Sequence, residues 1–180
     1  MTMLSLSEKI EGNIQISGKP KGLYDDGFVG KTLELNVTSQ EAIGSVKLLG
    51  YIPPNIFQGN RFTLKVGWRK KEIGLDTPEF FQVPLAIRAS ASEAIYLKIE
   101  AQEVINPKKA GMNDDQRNLS FLLVKLVFSP ENEVDYIKRG NQLIRQGQIE
   151  DAIAAYRYAV ELDSSLYWSH YYLEKALKQS

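Results

Sequence analysis

A chain of 180 residues, 43% hydrophobic and 24% charged, has an ordinary globular composition, with room for one domain plus an appendage or for two small domains. Its 22 Lys and Arg balance 22 Asp and Glu, which argues against a protein that works by neutralising phosphates, so nucleic acid is not an expected partner. Without cysteine there can be no disulfide, thiolate metal site or cysteine nucleophile, a usage that fits a reducing cytoplasm.

The first residues, MTMLSLSEKIEGNIQ, lack the basic start and long apolar run of a secretory signal, and no apolar segment is long enough to span a bilayer. A cytoplasmic location with no membrane partner is the expectation. Short strands punctuated by Gly, Pro, Asn and Asp follow. Leu33 to Thr38 alternates apolar and polar residues, and Ser45 to Ile52 is closed by Pro53-Pro54. Arg61 to Trp68 places Phe62, Leu64 and Val66 on one face, with Glu72 to Leu75 returning across a solvated Arg69-Lys70-Lys71 tip. Phe80 to Arg88 contains Pro84, which marks an edge or bulged strand. Ile95 to Ala101 alternates cleanly, and Leu119 to Phe128 reads as a central strand covered on both faces. Seven or eight strands with no helical period between them predict an antiparallel β-sandwich, jelly-roll-like, over residues 1–130.

Two loops carry side chains capable of chemistry: Gly22 to Gly30, containing Tyr24, Asp25, Asp26 and Phe28, and Gly111 to Arg117, containing Asp114 and Asp115. The stretches GLYDDGFVGK, GYIPP and DDQRNLSF resemble a β-sandwich module of the non-catalytic regions of bacterial, especially cyanobacterial, glycosyltransferase and sulfotransferase-like polypeptides, where it sits beside tetratricopeptide repeats. That resemblance implies an accessory role beside a carbohydrate-modifying enzyme and carries over no binding residue.

Ser129-Pro130 and the polar Glu131-Asn132-Glu133 mark a boundary, after which residues 131–180 read as helical. Glu133 to Leu166 has the spacing of one tetratricopeptide (TPR) repeat: Tyr136, Gly140 and Leu143 on the first helix, Ala152, Tyr156 and Ala159 on the second. Gly140 and Ala152 let the helices approach while Tyr156 fills the space beside them, and Gly147 ends the first helix. Arg139 and Ser164 replace the usual leucine and proline. Residues 167–178 resemble the first helix of a following repeat, with His170, Leu173 and Leu177 in register and Glu174 at the small-residue position, which predicts a capping helix. Ser180 falls where a second repeat would continue, which fits a longer natural chain.

No P-loop, dinucleotide fingerprint, zinc spacing or serine elbow appears, and His170 is the only histidine. Acid pairs in loops are turn formers more often than glycosidase or calcium residues, and the D-x-D-x-D-G spacing is absent. Asp114, Asp115 or an acid of the Tyr24 loop is expected to bond Arg117. The sequence thus predicts an α+β multidomain chain that is not an enzyme, holds no metal and needs no cofactor. Protein interaction or assembly is its expected work, through a protein partner or self-association at Trp168, Tyr171 and Tyr172. The alternative is a carbohydrate-binding sandwich with supporting helices. Tyr24, Asp25, Asp26 and Trp68 are then the candidate ligand residues, with Tyr51 and Phe57 as further exposed-ring candidates.

Overall fold

Alternation along the strands becomes two facing layers. The computed structural model describes residues 6–56 and 59–180, so Phe57 lies outside the described residues. A short helix α1 (Leu6–Lys9) and strand β1 (Ile10–Glu11) precede β2 (Ile14–Leu23), β3 (Phe28–Ser39), β4 (Ile43–Ile52), β5 (Asn60–Val66), β6 (Arg69–Leu75), β7 (Glu79–Ala89), β8 (Ile95–Ala101) and β9 (Phe121–Ser129). Helices α2 (Glu133–Arg145), α3 (Ile149–Leu162) and α4 (Tyr167–Leu177) follow. The architecture is the expected β-sandwich followed by a helical hairpin and one further helix.

Neighbouring strands run β6-β5-β8-β3-β9-β4-β7, with β2 added to β3 and β1 to β9. All pairings are antiparallel except the two-residue match of β1 with β9. β3 belongs to both layers: Phe28 and Val29 pair with β9, and Thr32 to Val37 pair with β8. Strands that switch sheets in this way form the corners of sandwiches. Leu33, Leu35, Phe62, Leu64, Leu97 and Ile99 of one layer face Val46, Leu48, Leu85, Phe121 and Leu123 of the other in a single buried cluster. At its centre Phe62, Phe81 and Phe121 pack with ring centres 5.2–5.5 Å apart. Gly50 makes room for them, since a Cβ there would lie 2.2 Å from the Phe81 ring.

Three strand expectations are corrected. β2 was not foreseen, because Gly18, Pro20 and Gly22 break its alternation. As an edge strand bonded only to β3, it accommodates them through register shifts around Lys21. β9 is central in the sheet, but its outward residues are only half-buried, and its inward set shifts from Phe121 and Leu123 to Leu126 and Phe128 across a register irregularity. The stretch buried on both faces is Val83–Ile87 of β7, an edge strand paired only with β4. Finally, Arg69-Lys70-Lys71 is not a solvated tip. Val66 pairs with Arg69, so the turn is Gly67-Trp68, with Gly67 at φ +57° where glycine is favoured.

That register puts Arg69 and Lys71 opposite Val66 and Leu64, on the inward side of β6. From there they reach the free edge of β7. Lys71 Nζ donates to the Pro84 carbonyl at 2.7 Å and Arg69 Nε to the Ala86 carbonyl at 3.1 Å. The same two side chains hold the end of α3: Lys71 Nζ donates to the Glu161 carbonyl (2.6 Å) and Arg69 to the Asp163 carboxylate (2.9 Å). Burial pushes the Lys71 ammonium pKa down, while Glu161 and Asp163 partly restore it.

From Ser129 the chain enters α2 through a held linker: Ser45 Oγ donates to the Glu131 carbonyl at 2.7 Å. Asn132 caps α2 in a capping box with Asp135. In the hairpin, Ile137, Ala152, Ile153, Tyr156 and Ala159 form a second core, flanked by Tyr136 and Leu143. A Cβ on Gly140 would lie 2.3 Å from the Tyr156 ring, which is the close approach read from the spacing. Gly147 has φ +76° after α2, as a helix terminator should. Gly140→Leu is therefore expected to cost roughly 1–3 kcal/mol by overpacking, whereas Gln148→Ala, on an exposed residue, should change little. Thermal melts check this, and a leucine variant as stable as the parent would contradict it.

Candidate functional site

The acid-rich loops come together, but around an arginine. Tyr24 to Gly27 form a tight turn in which the Phe28 amide donates to the Asp26 carboxylate at 3.3 Å and the Gly27 amide to the Tyr24 carbonyl at 2.8 Å. Arg117 grips Asp115 through Nε (3.0 Å) and a terminal nitrogen (2.7 Å), and the same nitrogen donates to Asp26 at 2.6 Å. Its guanidinium lies 4.8 Å from the Tyr24 ring centre. Asp25 and Asp114 point to solvent. Hydrogen bonds from Arg117 hold both the Asp26 and Asp115 carboxyls below the usual carboxylate range, against the opposing effect of burial. The nearly buried Lys9, whose ammonium donates to the Leu123 carbonyl at 2.7 Å, has its pKa pushed down by burial and partly restored by Asp26. Tyr24 and Asp26 thus both lie against the Arg117 guanidinium.

Trp68 sits elsewhere, 77% exposed in the β5–β6 turn, with the Arg69 guanidinium 5.2 Å from its ring centre. Between this turn, β7 and the helices lies a cleft of about 200 Å³ lined by Trp68, Arg69, Arg88, Glu133 and Asp163. Arg88 donates to Glu133 at 2.8 Å across its floor. Sequence reasoning missed Glu133, Arg88 and Asp163, because each is contributed by a different element. On the outer face of β5, β6 and β8, a broader concavity of about 550 Å³ is lined by Arg61, Glu72 and Glu100. Lysines 70 and 98 already pair with its two glutamates.

The third region is α4. Its inward face is Ser169, Tyr172, Leu173 and Ala176. Ser169 is fully buried, and its hydroxyl is satisfied by donating to the Leu166 carbonyl at 2.7 Å. Tyr172 stacks on Tyr156 with ring centres 5.7 Å apart. Tyr167, Trp168 and Tyr171 pack on one another at 5.3–6.2 Å and remain open to solvent. The expected interface trio therefore divides, with Tyr172 turned to the hairpin core and Trp168 and Tyr171 outward. His170 is exposed, a ring nitrogen 2.8 Å from the Ser164 carbonyl. Arg139, at the usual leucine position, lies over the Tyr136 ring and pairs with Glu131. Glu174, at the small-residue position, is exposed and bonds Lys178 at 2.7 Å.

A TPR repeat family model matches residues 140–180. The C-terminal helices are a TPR hairpin with α4 added. No curated protein matches the chain. Among solved structures, similarity extends to an exo-β-1,3-galactanase from Phanerochaete chrysosporium, at 16% identity and TM-score 0.34 over 66% of this chain and 26% of that one. It also extends to a family 35 carbohydrate-binding module from Clostridium thermocellum, at 13% identity and TM-score 0.32 over 62% of this chain and 86% of the module. A third is Xyl-CBM35 in complex with a glucuronic acid-containing disaccharide, at 11% identity and TM-score 0.33 over 64% and 86%. All three likenesses are distant, and no residue role is carried over from them. Among the described residues no helix is long and apolar enough to cross a membrane.

The Arg117 network sets a pH dependence. Because the folded pKa values of Asp26 and Asp115 lie below the unfolded value of about 3.9, the stability they contribute is present above that value and is lost as pH falls through the folded ones. Arg117→Ala should be about 1 kcal/mol less stable than the parent at neutral pH, as for partly exposed ion pairs, and the gap should shrink near pH 2. Urea unfolding at both pH values checks this, and a gap that stays constant would contradict it.

Proposed function

We propose that the chain is a non-catalytic protein-interaction unit whose docking surface is the Tyr167–Trp168–Tyr171 face of α4. The observation that carries this reading is the exposure of three mutually packed aromatic rings on the outermost helix of a TPR hairpin. Helical repeats bury their apolar faces by stacking, each helix covering its neighbour. α3 covers one side of α4 through Ala176, Tyr172 and Leu173. Its other side presents rings of the kind that anchor interfaces. The occupant is an amphipathic helix of a partner protein, seated where a following helix of the repeat would lie. Non-catalytic work is supported by the use of the loop acids Asp26 and Asp115 to hold Arg117 and by the contact of His170 with backbone. The narrower role beside a carbohydrate-modifying enzyme is supported by the sequence resemblance of the sandwich.

A synthetic helix carrying the α3 sequence, residues 149–162, is a model of that occupant. It is expected to bind the full chain, and Trp168→Ala/Tyr171→Ala should weaken binding roughly tenfold or more, as for aromatic anchors, with the sandwich melting unchanged. Titration calorimetry reads the affinity, and sedimentation shows whether the parent instead pairs with itself. Equal affinity for parent and double variant, or self-pairing through α4 that leaves the peptide unbound, would overturn the assignment.

A further inference from the structure

We propose that the concavity on the outer face of β5, β6 and β8 binds a small anion carrying at least two negative charges, apart from the α4 surface. Alternation along β5 puts the charges there. Phe62, Leu64 and Val66 point into the core, so Arg61, Thr63 and Lys65 point outward. Strand register fixes their neighbours. Lys65 stands opposite Lys98 of β8 on one side and Lys70 of β6 on the other. Like charges directly opposite one another are destabilising, and here three lie in one row. The chain as a whole has zero net charge, so this row is a local excess.

Two of the three lysines are compensated. Lys98 pairs with Glu100 at 3.0 Å and Lys70 with Glu72 at 2.5 Å, so the two carboxylates that flank Thr63 are already neutralised. Lys65 has no carboxylate within ion-pair distance among the described residues, and neither has Arg61 nor Lys31 of β3. These three act on Glu72 and Glu100 only at longer range, helping to hold both carboxyls below their usual pKa. Arg61 itself lies between Gly74, which has no side chain, and Gln102, which has no charge. An anion entering the concavity therefore meets three unpaired cations and no unpaired carboxylate.

Shape and donor chemistry narrow the ligand. The concavity, about 550 Å³, lies within the range of about 300–1,000 Å³ usual for small-molecule sites. Lys31 and Arg61 line it together with Thr63 and Gln102. A guanidinium presents paired N–H donors that match the oxygens of a carboxylate or a phosphoryl group. The Thr63 hydroxyl and the Gln102 amide add uncharged donors beside it. Gly74 supplies the room, since a Cβ there would meet no atom within 4 Å. One negative charge would leave two of the three cations unmatched. Clustered anionic oxygens, as in a phosphoryl compound or a di- or tricarboxylate, match them together.

The test uses the full chain labelled with ¹⁵N, titrated with inorganic pyrophosphate or with tricarballylate while sodium chloride holds the ionic strength constant. At least one of the two should shift amide signals of β5, β6 and β8 saturably, and the one that binds more tightly tells a phosphoryl ligand from a carboxylate one. Arg61→Gln/Lys65→Gln should weaken that binding roughly tenfold or more, the scale of lost hydrogen bonds to a charged group. Arg157→Gln/Lys175→Gln, which removes the same charge from exposed positions on α3 and α4, should leave it unchanged. Gly74→Glu sets a carboxylate opposite Arg61 in open space, and should abolish binding while the melting curve is kept. No saturable shift with either anion at concentrations well above a millimolar Kd would overturn the proposal. So would equal weakening by the α3 and α4 variant, or undiminished binding in Gly74→Glu.

Discussion

Arg69 and Lys71 tie together three parts of this molecule, β6, β7 and the end of α3. A sandwich that does not close into a barrel leaves open edges, among them β6 and β7, whose unpaired backbone groups invite association. The two basic side chains cross from one edge to the carbonyls of the other and continue to the end of α3. Turn register decides whether this happens. A slip of one residue in the β5–β6 hairpin would send both side chains to solvent and Lys70 inward. The cost of half-burying an ammonium is offset by two carbonyls and by the nearby acids of α3.

The clamp explains the placement of the helices, and that placement explains what is left exposed. α3 lies against β7 and covers Pro84 and Ala86, which would otherwise be the outward face of an edge strand. Tyr158, also on α3, reaches toward Lys47 of β4, and burial pushes its hydroxyl pKa up to about 12. With the hairpin fixed on this side, α4 falls on the side away from β7 and shows its aromatic rings. The same docking creates the cleft beneath Trp68, since Glu133 and Asp163 are brought to Arg88 and Arg69 only when the hairpin is seated.

Local regularities were readable in the sequence; long-range polar pairings were not. Alternation alone places Phe62, Leu64, Leu97 and Ile99 in the core, and spacing alone places Gly140 against Tyr156. The clamp itself left a trace that was misread. Ile73 and Leu75 set the inward face of β6, and counting back by two gives Lys71 and Arg69. Charge made those residues look solvated. On α4, close packing against the hairpin selects the small Ser169 and Ala176 for the inward face and leaves Trp168 outward. Arg117 with Asp26 and Arg88 with Glu133 join positions 91 and 45 residues apart, and no periodicity encodes such contacts.

Hydrogen exchange on Arg69→Met/Lys71→Met tests the clamp most directly, because methionine keeps the apolar stem and removes the donors. Amides of β7 and of the last turn of α3 should then exchange faster together, while those of β3 and β8 keep their parental rates. Unchanged protection in both elements would show that the edges and the hairpin are held by something other than these two side chains.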